Sequence, residues 1–344
     1  MKKKVLALIM CVVIVVGILP VYAFAEDGLS DWTYNVLSEE DKTAEITGYN
    51  GTETELVFPE EIDGYIMVAV ADEAFEYEYA QECPFISITI PETYKRIGNN
   101  NFYDCANLIA ISLPHSLEFI GRNTFVKTNL CVKTMNRLGA ANQPKVFYIG
   151  EYLIYADQNG KMPDCYTVKP GTKLIASGAF INCTKLKKVI LPEGLEFINK
   201  GAFMGCGFFS SIVIPNTVKR IDQYVFAVND SMKAIVIPAS VEYIDESAFG
   251  GSDLQFLTVY GVAGTLAETF AKEKGVTFVE LKDVIYGDVD EDGTVTIMDY
   301  ASTKSCVIGE TEFEGCAEIV GDMNSDCVID GFDLFQIDRT VNGI

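Results

Sequence analysis

Residues 189–203 read VILPEGLEFINKGAF, and the same pattern returns 23 residues later as IVIPNTVKRIDQYVF at residues 212–226. Each copy starts with a short β-branched run that ends at a proline, a residue that cannot donate a backbone hydrogen bond to a neighbouring strand. An isoleucine follows six residues after the proline and a phenylalanine eleven residues after it. Five copies share this spacing: Pro91, Ile97 and Phe102; Pro114, Ile120 and Phe125; Pro192, Ile198 and Phe203; Pro215, Ile221 and Phe226; Pro238, Ile244 and Phe249.

Two further copies are irregular. A shortened copy runs through Pro170, Ile175 and Phe180, and a lengthened first copy through Pro59 and Phe75. A single unit cannot bury its own apolar face, so neighbouring units must stack. The sequence therefore predicts a mainly β fold, a solenoid of repeats of 23 residues over residues 56–282.

This spacing resembles the BspA-type leucine-rich repeats of bacterial surface and secreted proteins over residues 56–279. The resemblance implies a curved, right-handed solenoid that recognises a protein or a surface and performs no chemistry of its own. The register breaks between Phe125 and Pro170, so we expect an insertion near residues 127–166. It should contain strands at 146–149 and 152–155 and a turn at Asn159 and Gly160. Such insertions often mark the binding side of a solenoid, and many are only elaborations.

Both ends of the solenoid need covering. Alternation around Trp32 predicts a β-hairpin cap within residues 26–55. Residues 266–274 have helical spacing and are followed by Gly275, which predicts a closing helix.

One outward row is a candidate ligand face. The residue five positions after each regular proline precedes the inward isoleucine and should therefore point to solvent. A stripe of aromatic and arginine side chains suits contact with carbohydrate or protein, and ordinary solenoid surface is the alternative. The row comprises Arg96, Phe119, Phe197, Arg220 and Tyr243.

Cys105, Cys183 and Cys206 each lie three residues after a repeat phenylalanine. We expect them to be small buried side chains of a ladder without a redox role. A bridge between Cys183 and Cys206, one repeat apart, is the alternative, and the spacing of the ladder would strain it.

The C-terminal residues contain a motif of another kind. Acidic residues occupy positions 1, 3, 5 and 12 of a twelve-residue loop that has Gly293 at position 6. A hard cation needs about six to eight oxygen ligands, which alternating acids around a tight turn supply. We expect a calcium ion bound by Asp288, Asp290, Asp292 and Asp299, with the carbonyl of Thr294 and a water held by Thr296.

The loop returns 34 residues later, with the corresponding positions at Asp322, Asn324, Asp326, Val328, Asp330 and Asp333. This predicts a second calcium ion. Cys327 replaces the glycine that would adopt a positive φ, at a cost of roughly 1–2 kcal/mol, so the second loop should bind calcium more weakly.

Each loop runs into an apolar-periodic segment and no helix precedes it, which resembles a type I dockerin over residues 283–344. The resemblance implies a small all-α module with two calcium-loop and helix halves, and a cohesin module of a scaffoldin as its partner. It also implies cohesin contacts at loop positions 10 and 11, which are Ile297 and Met298 in the first half and Gly331 and Phe332 in the second. Because these pairs differ, we expect one preferred orientation of binding.

The N-terminal sequence indicates the compartment, and the net charge indicates the class of partner. Residues 1–25 combine three lysines, an apolar run and an Ala-x-Ala site, as in a signal peptide, so we expect a secreted chain that starts near Glu26 and has no membrane span after cleavage. The net charge is −23, and residues 283–344 carry fifteen acidic residues against Lys304 and Arg339. This charge argues against a nucleic-acid partner and favours cations.

Three functions follow from these features. The first is a non-catalytic recognition protein attached to a cellulosome-like scaffold, extracellular or at the cell surface, and associated with polysaccharide catabolism. Its repeats would contact a protein, a cell surface or a polysaccharide. The second is a polysaccharide-active O-glycosyl hydrolase, against which the repeats leave little room for a catalytic fold and His115 is the single histidine. The third is a protease inhibitor or chaperone-like partner, which no residue pattern selects.

Overall fold

The computed structural model describes residues 31–77, 82–158, 162–280, 289, 295, 297–307 and 336–337. Up to residue 280 the described chain is a stack of short strands and turns with two helices. The predicted mainly β solenoid is thereby confirmed.

The first part of the stack has two sheets. Its strands are β1 (Trp32–Ser38), β2 (Thr43–Tyr49), β3 (Glu55–Val57), β4 (Glu61–Ile62), β5 (Tyr65–Val70), β6 (Ser87–Thr89), β7 (Arg96–Ile97), β8 (Ala110–Ser112) and β9 (Phe119–Ile120). Sheet A has the order β1-β2-β5-β7-β9, with β4 paired to β5, and sheet B has the order β3-β6-β8. Sheet B holds strands that precede the repeat prolines. In sheet A, β5, β7 and β9 follow these prolines, and β1 and β2 form an N-terminal hairpin.

The second part repeats this arrangement after an insertion. Its elements are α1 (Asn129–Ala140), β10 (Val146–Ile149), β11 (Tyr152–Ala156), β12 (Cys165–Thr167), β13 (Leu174–Ile175), β14 (Lys188–Ile190), β15 (Phe197–Ile198), β16 (Ser211–Val213), β17 (Arg220–Ile221), β18 (Ala234–Ile237), β19 (Tyr243–Ile244), β20 (Thr258–Gly261), α2 (Leu266–Lys274), β21 (Thr277–Glu280) and α3 (Ile297–Val307). Sheet C has the order β10-β11-β13-β15-β17-β19, and sheet D the order β12-β14-β16-β18-β20-β21.

The 23-residue period appears directly in the strand register. Ile198 pairs with Ile221 and Ile221 with Ile244, all in parallel strands of sheet C. Ile212 pairs with Ile235 in sheet D. Identical positions of successive repeats therefore lie side by side, so each apolar position becomes a continuous row in the core.

The repeat phenylalanines form a ring ladder through the interior. Phe203 stacks on Phe180 at 5.2 Å between ring centroids and on Phe226 at 5.9 Å, with interplanar angles of 11° and 5°. In the first part of the solenoid, Phe102 stacks on Phe125 at 5.6 Å. These five rings are fully buried. Burial of an aromatic ring is a large favourable term, so the ladder is the main apolar contribution of each repeat.

The turn before each phenylalanine needs a left-handed backbone. Asn100, Asn123 and Tyr224 have φ values of 58°, 63° and 57°, and Gly201 occupies the corresponding position at 65°. Glycine and asparagine reach this region at low cost, whereas tyrosine is strained there.

The insertion contains a helix that the sequence analysis did not predict. In α1, the side chain of Thr128 accepts a hydrogen bond from the backbone N–H of Cys131, and the helix buries Cys131 and Met135. The two expected strands are present as β10 and β11, which pair antiparallel. A turn at Gly150 and Glu151 joins them. The predicted turn at Asn159 and Gly160 lies outside the described residues.

A buried asparagine joins the two parts of the solenoid. β9 is the last strand of sheet A, and the side chain of Asn199 binds its backbone from the coil that follows β15. The Oδ1 atom accepts the N–H of Ile120 at 3.0 Å, and Nδ2 donates to the carbonyl of Glu118 at 3.0 Å. The amide thus satisfies two backbone groups of an edge strand, as a neighbouring strand would.

Replacing Asn199 by alanine should lower the free energy of unfolding by about 2–3 kcal/mol, because each buried backbone group left unpaired costs about 1–3 kcal/mol. Urea denaturation followed by far-ultraviolet circular dichroism measures this change. Asn216→Ala, at an exposed position, is the matched control and should stay within about 0.5 kcal/mol of wild type. Equal stability of the two variants would show that this contact contributes nothing.

The two ends are covered as the sequence predicts. β1 and β2 pair antiparallel, and Trp32 packs against Tyr49 and Phe58 with ring centroids 4.7 and 5.0 Å apart. At the other end, α2 stops at Gly275, which has a φ of 69°, and Phe270 extends the ring ladder to Phe249 at 5.1 Å.

The expectation for Cys105 is wrong. Cys105 forms a disulfide with Cys83, with a Cα–Cα distance of 5.3 Å. Neighbouring coils bring these atoms into the range that a disulfide needs. The bond was missed because Cys83 belongs to the irregular first repeat and does not align with the other cysteines. Cys183 and Cys206 are buried and free, as expected.

Candidate binding groove and docking segment

The predicted outward row lies on adjacent strands of the post-proline side. Arg96 pairs with Phe119 between β7 and β9, and Arg220 pairs with Phe197 and Tyr243 in sheet C. Each residue precedes an isoleucine that faces the core; Ile97, Ile120 and Ile221 are fully buried. All five row residues reach the surface, with Arg220 and Tyr243 exposed and the other three partly exposed. Whether the row binds a ligand stays a prediction.

Stacking and ion pairs fix the two arginines. The Cζ atom of Arg96 lies 5.0 Å from the ring centroid of Phe119, and that of Arg220 lies 4.5 Å from the ring of Tyr243. The guanidinium group of Arg96 also contacts Asp72 at 2.7 Å, and that of Arg220 binds Asp222. Since both arginines are held on two sides, the row presents an ordered surface.

The row is interrupted where the two parts of the solenoid meet. In β13 the position paired with Phe197 is Leu174, which is fully buried. A groove of about 490 Å³ lies between Phe119 and Phe197. Its first part is formed by Asp72, Arg96, Asn99, Glu118 and Phe119, and its second part by Phe197, Asn199, Lys200, Arg220, Asp222 and Gln223.

Four of the five predicted row residues line this groove, and Tyr243 lies one strand further along sheet C. The sequence analysis missed the polar residues around them. Asn199 follows the inward isoleucine directly, and Asn99 comes two residues after its own. A comparison of these two positions across the repeats, made for amide side chains, would have found Asn199 and Asn99. The groove itself depends on the register break and has no signal within a single repeat.

Hydrogen bonds hold the acidic side of the groove. Asp72 accepts the backbone N–H of Asn99 at 3.0 Å and its side-chain amide at 2.8 Å. Partial burial disfavours its charge, but the hydrogen bonds from Asn99 and Arg96 outweigh this and lower the pKa of Asp72. Beside Tyr243, hydrogen bonds from the Ser247 side chain and backbone lower the pKa of Asp245. Both carboxylates therefore remain charged in mildly acidic solution.

Most of the predicted calcium and cohesin-binding residues lie outside the described residues. These are Asp288, Asp290, Asp292, Thr294, Thr296, Asp322, Asn324, Asp326, Val328, Asp330 and Asp333, with Gly331 and Phe332. The helix α3 starts at Ile297, which is position 10 of the expected first loop, and Asp299, its position 12, is in the first turn of the helix. Within α3, Met298 is 59% exposed and Thr303 is buried. The predicted donors are carboxylate, amide, hydroxyl and carbonyl oxygens, which suit calcium better than a soft metal ion.

His115 occupies a surface position. Its side chain is 82% exposed, and its Nδ1 atom lies 3.2 Å from Glu151. Among the helices in the described part of the chain, none has the length and apolarity that crossing a membrane requires.

Two protein families match the chain. BspA type leucine rich repeat region matches in six copies over residues 72–159 and 164–274, and dockerin type I domain matches over residues 286–342. None of the curated proteins matches the chain.

Similar solved structures include three bacterial proteins. A leucine-rich repeat protein of T. pallidum is 17% identical, with 74% of this chain and 98% of that chain covered and a TM-score of 0.28. A leucine-rich cell surface protein of Faecalibacterium prausnitzii is 16% identical, with coverages of 74% and 97% and a TM-score of 0.29. The pneumococcal vaccine antigen PcpA is 15% identical, with coverages of 75% and 98% and a TM-score of 0.30.

Proposed function

The chain belongs to the BspA-type leucine-rich repeat proteins and ends in a type I dockerin domain, and from this we propose that it is a secreted, non-catalytic recognition protein docked to a cellulosome-like scaffold. Calcium-dependent binding of a cohesin attaches it, and the repeat body contacts a protein, a cell surface or a polysaccharide. It takes part in polysaccharide catabolism through its association with the scaffold. One observation carries the proposal: the duplicated oxygen-ligand loop is joined to a repeat body that has an ordered, partly exposed groove.

In this proposal, the dockerin over residues 283–344 binds two calcium ions, one in each loop. The first loop has glycine at position 6 and binds more tightly, while Cys327 weakens the second by roughly 1–2 kcal/mol. With five carboxylates in the first loop and four in the second, the metal-free segment repels itself, so calcium binding is coupled to its folding.

Apolar residues at the ends of the loops make the cohesin contact. Ile297 and Met298 serve the first half, and Gly331 and Phe332 the second. The exposure of Met298 at the start of α3 supports this assignment, since a large exposed apolar side chain is a candidate interface residue. Because the two pairs differ in size, one orientation of the cohesin is preferred.

The proposed chain has four segments and is exported. Residues 1–25 are a signal peptide that is removed, and residues 26–55 form the β cap. The repeat solenoid covers residues 56–282, with the insertion near 127–166, and the dockerin follows. Basic residues before an apolar run and the Ala-x-Ala site support export.

Capture on an immobilised cohesin tests the proposal. The full chain should be retained with calcium and released by a chelator. Turnover of cellulose, xylan and pectin, measured on the same preparation, should stay at background. Turnover above background would favour a polysaccharide-active enzyme, and failure of capture by every cohesin tried would remove the docking role.

A further inference from the structure

We propose that the groove between Phe119 and Phe197 binds a neutral oligosaccharide. The inference deepens the proposed function, since it rests on the repeat body being a binding surface and names the class of its ligand. It is carried by the charge balance of the groove, by its two phenylalanines and by the hydrogen-bonding groups that surround them.

The charges of the groove are already balanced. Three carboxylates and three cations line it, and each carboxylate has a cationic partner. Asp72 contacts Arg96 at 2.7 Å, Asp222 binds Arg220, and Glu118 lies 3.5 Å from Lys95 at the rim. A charged ligand would have to compete with these existing pairs and lose its own hydration, which is unfavourable. The remaining cation, Lys200, lies over the ring of Tyr224 at 5.6 Å.

The charge of the whole chain acts against anions in particular. With a net charge of −23, the protein repels polyanions at low ionic strength. Since no carboxylate of the groove is without a cation, a polycation finds no free partner there either. A neutral ligand meets neither obstacle.

The rings and polar groups match the surface of a sugar. Phe119 and Phe197 are partly exposed and offer apolar contact, while Asn99, Lys200 and Gln223 offer amide and ammonium groups beside them. Saccharides combine apolar C–H faces with hydroxyl groups that both donate and accept hydrogen bonds. Ligand sites of this kind join apolar walls to a few placed polar groups.

Size and rigidity favour a small, extended ligand over a folded protein. A volume of about 490 Å³ lies in the range of small-molecule sites, whereas a stable protein interface buries about 1,200–2,000 Å². The groove is also ordered before binding. Asp72 is held by three hydrogen bonds from Asn99 and Arg96, and Asn99 accepts the N–H of Arg122 at 2.8 Å. Little conformational entropy is therefore lost on binding.

The test is calorimetric titration of the full chain, with calcium present, against cellohexaose and xylohexaose. Hexagalacturonate serves as an anionic probe and a glucosamine hexamer as a cationic probe. At least one neutral probe should bind, and both charged probes should bind more weakly. Binding of a charged probe in preference to both neutral ones, or no binding by any probe, would overturn the inference.

Substitutions in the groove test whether the sugar binds there. Phe119→Ala and Phe197→Ala should each weaken binding of the neutral oligosaccharide by about tenfold or more. Gln223→Ala should also weaken binding of the sugar. Because Gln223 is exposed, this substitution should leave the fold intact, so its effect separates lost binding from misfolding. Phe256→Ala, 69% exposed and away from the groove, is the matched control and should bind as wild type. Unchanged binding by all three groove variants would contradict the assignment.

Capture on the immobilised cohesin separates the two proposals. Loss of sugar binding with capture intact removes only the groove assignment. Sugar binding without capture leaves the groove assignment in place and removes the docking role.

Discussion

The Phe203→Ala variant should lose about 3–5 kcal/mol of unfolding free energy, the range for truncation of a buried aromatic ring. Phe203 is fully buried and stacks against Phe180, Phe209 and Phe226, with centroids 5.2, 5.5 and 5.9 Å away. Removing the ring leaves a cavity in the middle of the ladder, between coils whose backbones are tied by strand pairing and cannot close the gap. Urea denaturation followed by circular dichroism at a β-sheet wavelength measures the loss.

A neighbouring ring provides the control. Phe208 lies five residues further along and is 62% exposed, so Phe208→Ala should change stability by about 0.5 kcal/mol or less. A similar loss in both variants would show that ring burial does not stabilise the stack. The same result would contradict the interpretation of the repeat phenylalanines as its main apolar contribution.

Asp290→Ala should abolish tight calcium binding at the first loop and, with it, capture by the cohesin. Loss of a group that only supports a metal ligand typically costs about 10–100-fold in affinity, and Asp290 is proposed to bind the ion itself, so its loss should cost more. Calcium titration followed by calorimetry measures the affinity. Thermal unfolding of the repeat body should be unchanged, because Asp290 belongs to the docking segment.

The opposite change is expected at the second loop. Cys327→Gly removes the proposed backbone strain and should tighten that site by about 5–30-fold, which corresponds to 1–2 kcal/mol. Unaltered calcium binding in the Asp290→Ala variant would refute the loop assignment. No gain from Cys327→Gly would refute only the explanation for unequal sites.

The repeat architecture was predictable because three residue types share one period. A proline ends a strand, an isoleucine faces inward and a phenylalanine fills the interior, so each position repeats in space as it does in sequence. The terminal helix was predictable for a similar reason, since Leu266–Lys274 has a helical pattern with a glycine directly after it. Both features are determined by residues that lie close together in the sequence.

The insertion was predicted in position and only partly in structure. Its hairpin strands were visible as apolar runs, but α1 was missed although Thr128 caps it and Cys131 and Met135 have the spacing of one helix face. The predicted turn at Asn159 and Gly160 lies outside the described residues and stays a prediction. The turn between β10 and β11 uses Gly150, which has a φ of 57°.

The candidate groove was predictable only in part. The outward row followed from its alternation with the inward isoleucines. The groove also involves Asn199, whose side chain reaches the backbone of residues about eighty positions earlier in the chain. Contacts of that sequence separation arise from the register break and leave no periodic signal. The Cys83–Cys105 disulfide was missed for a different reason, because Cys83 lies in the irregular first repeat and does not align with the other cysteines.

The central claim, a binding body docked through a calcium-loaded dockerin, is tested most directly by calorimetric titration of the full chain against a panel of cohesins. The account predicts tight binding to at least one cohesin with calcium, and none after a chelator is added. Calcium uptake without binding to any cohesin in the panel would contradict it, because the C-terminal segment would then be a stabilising module and every function would belong to the repeats.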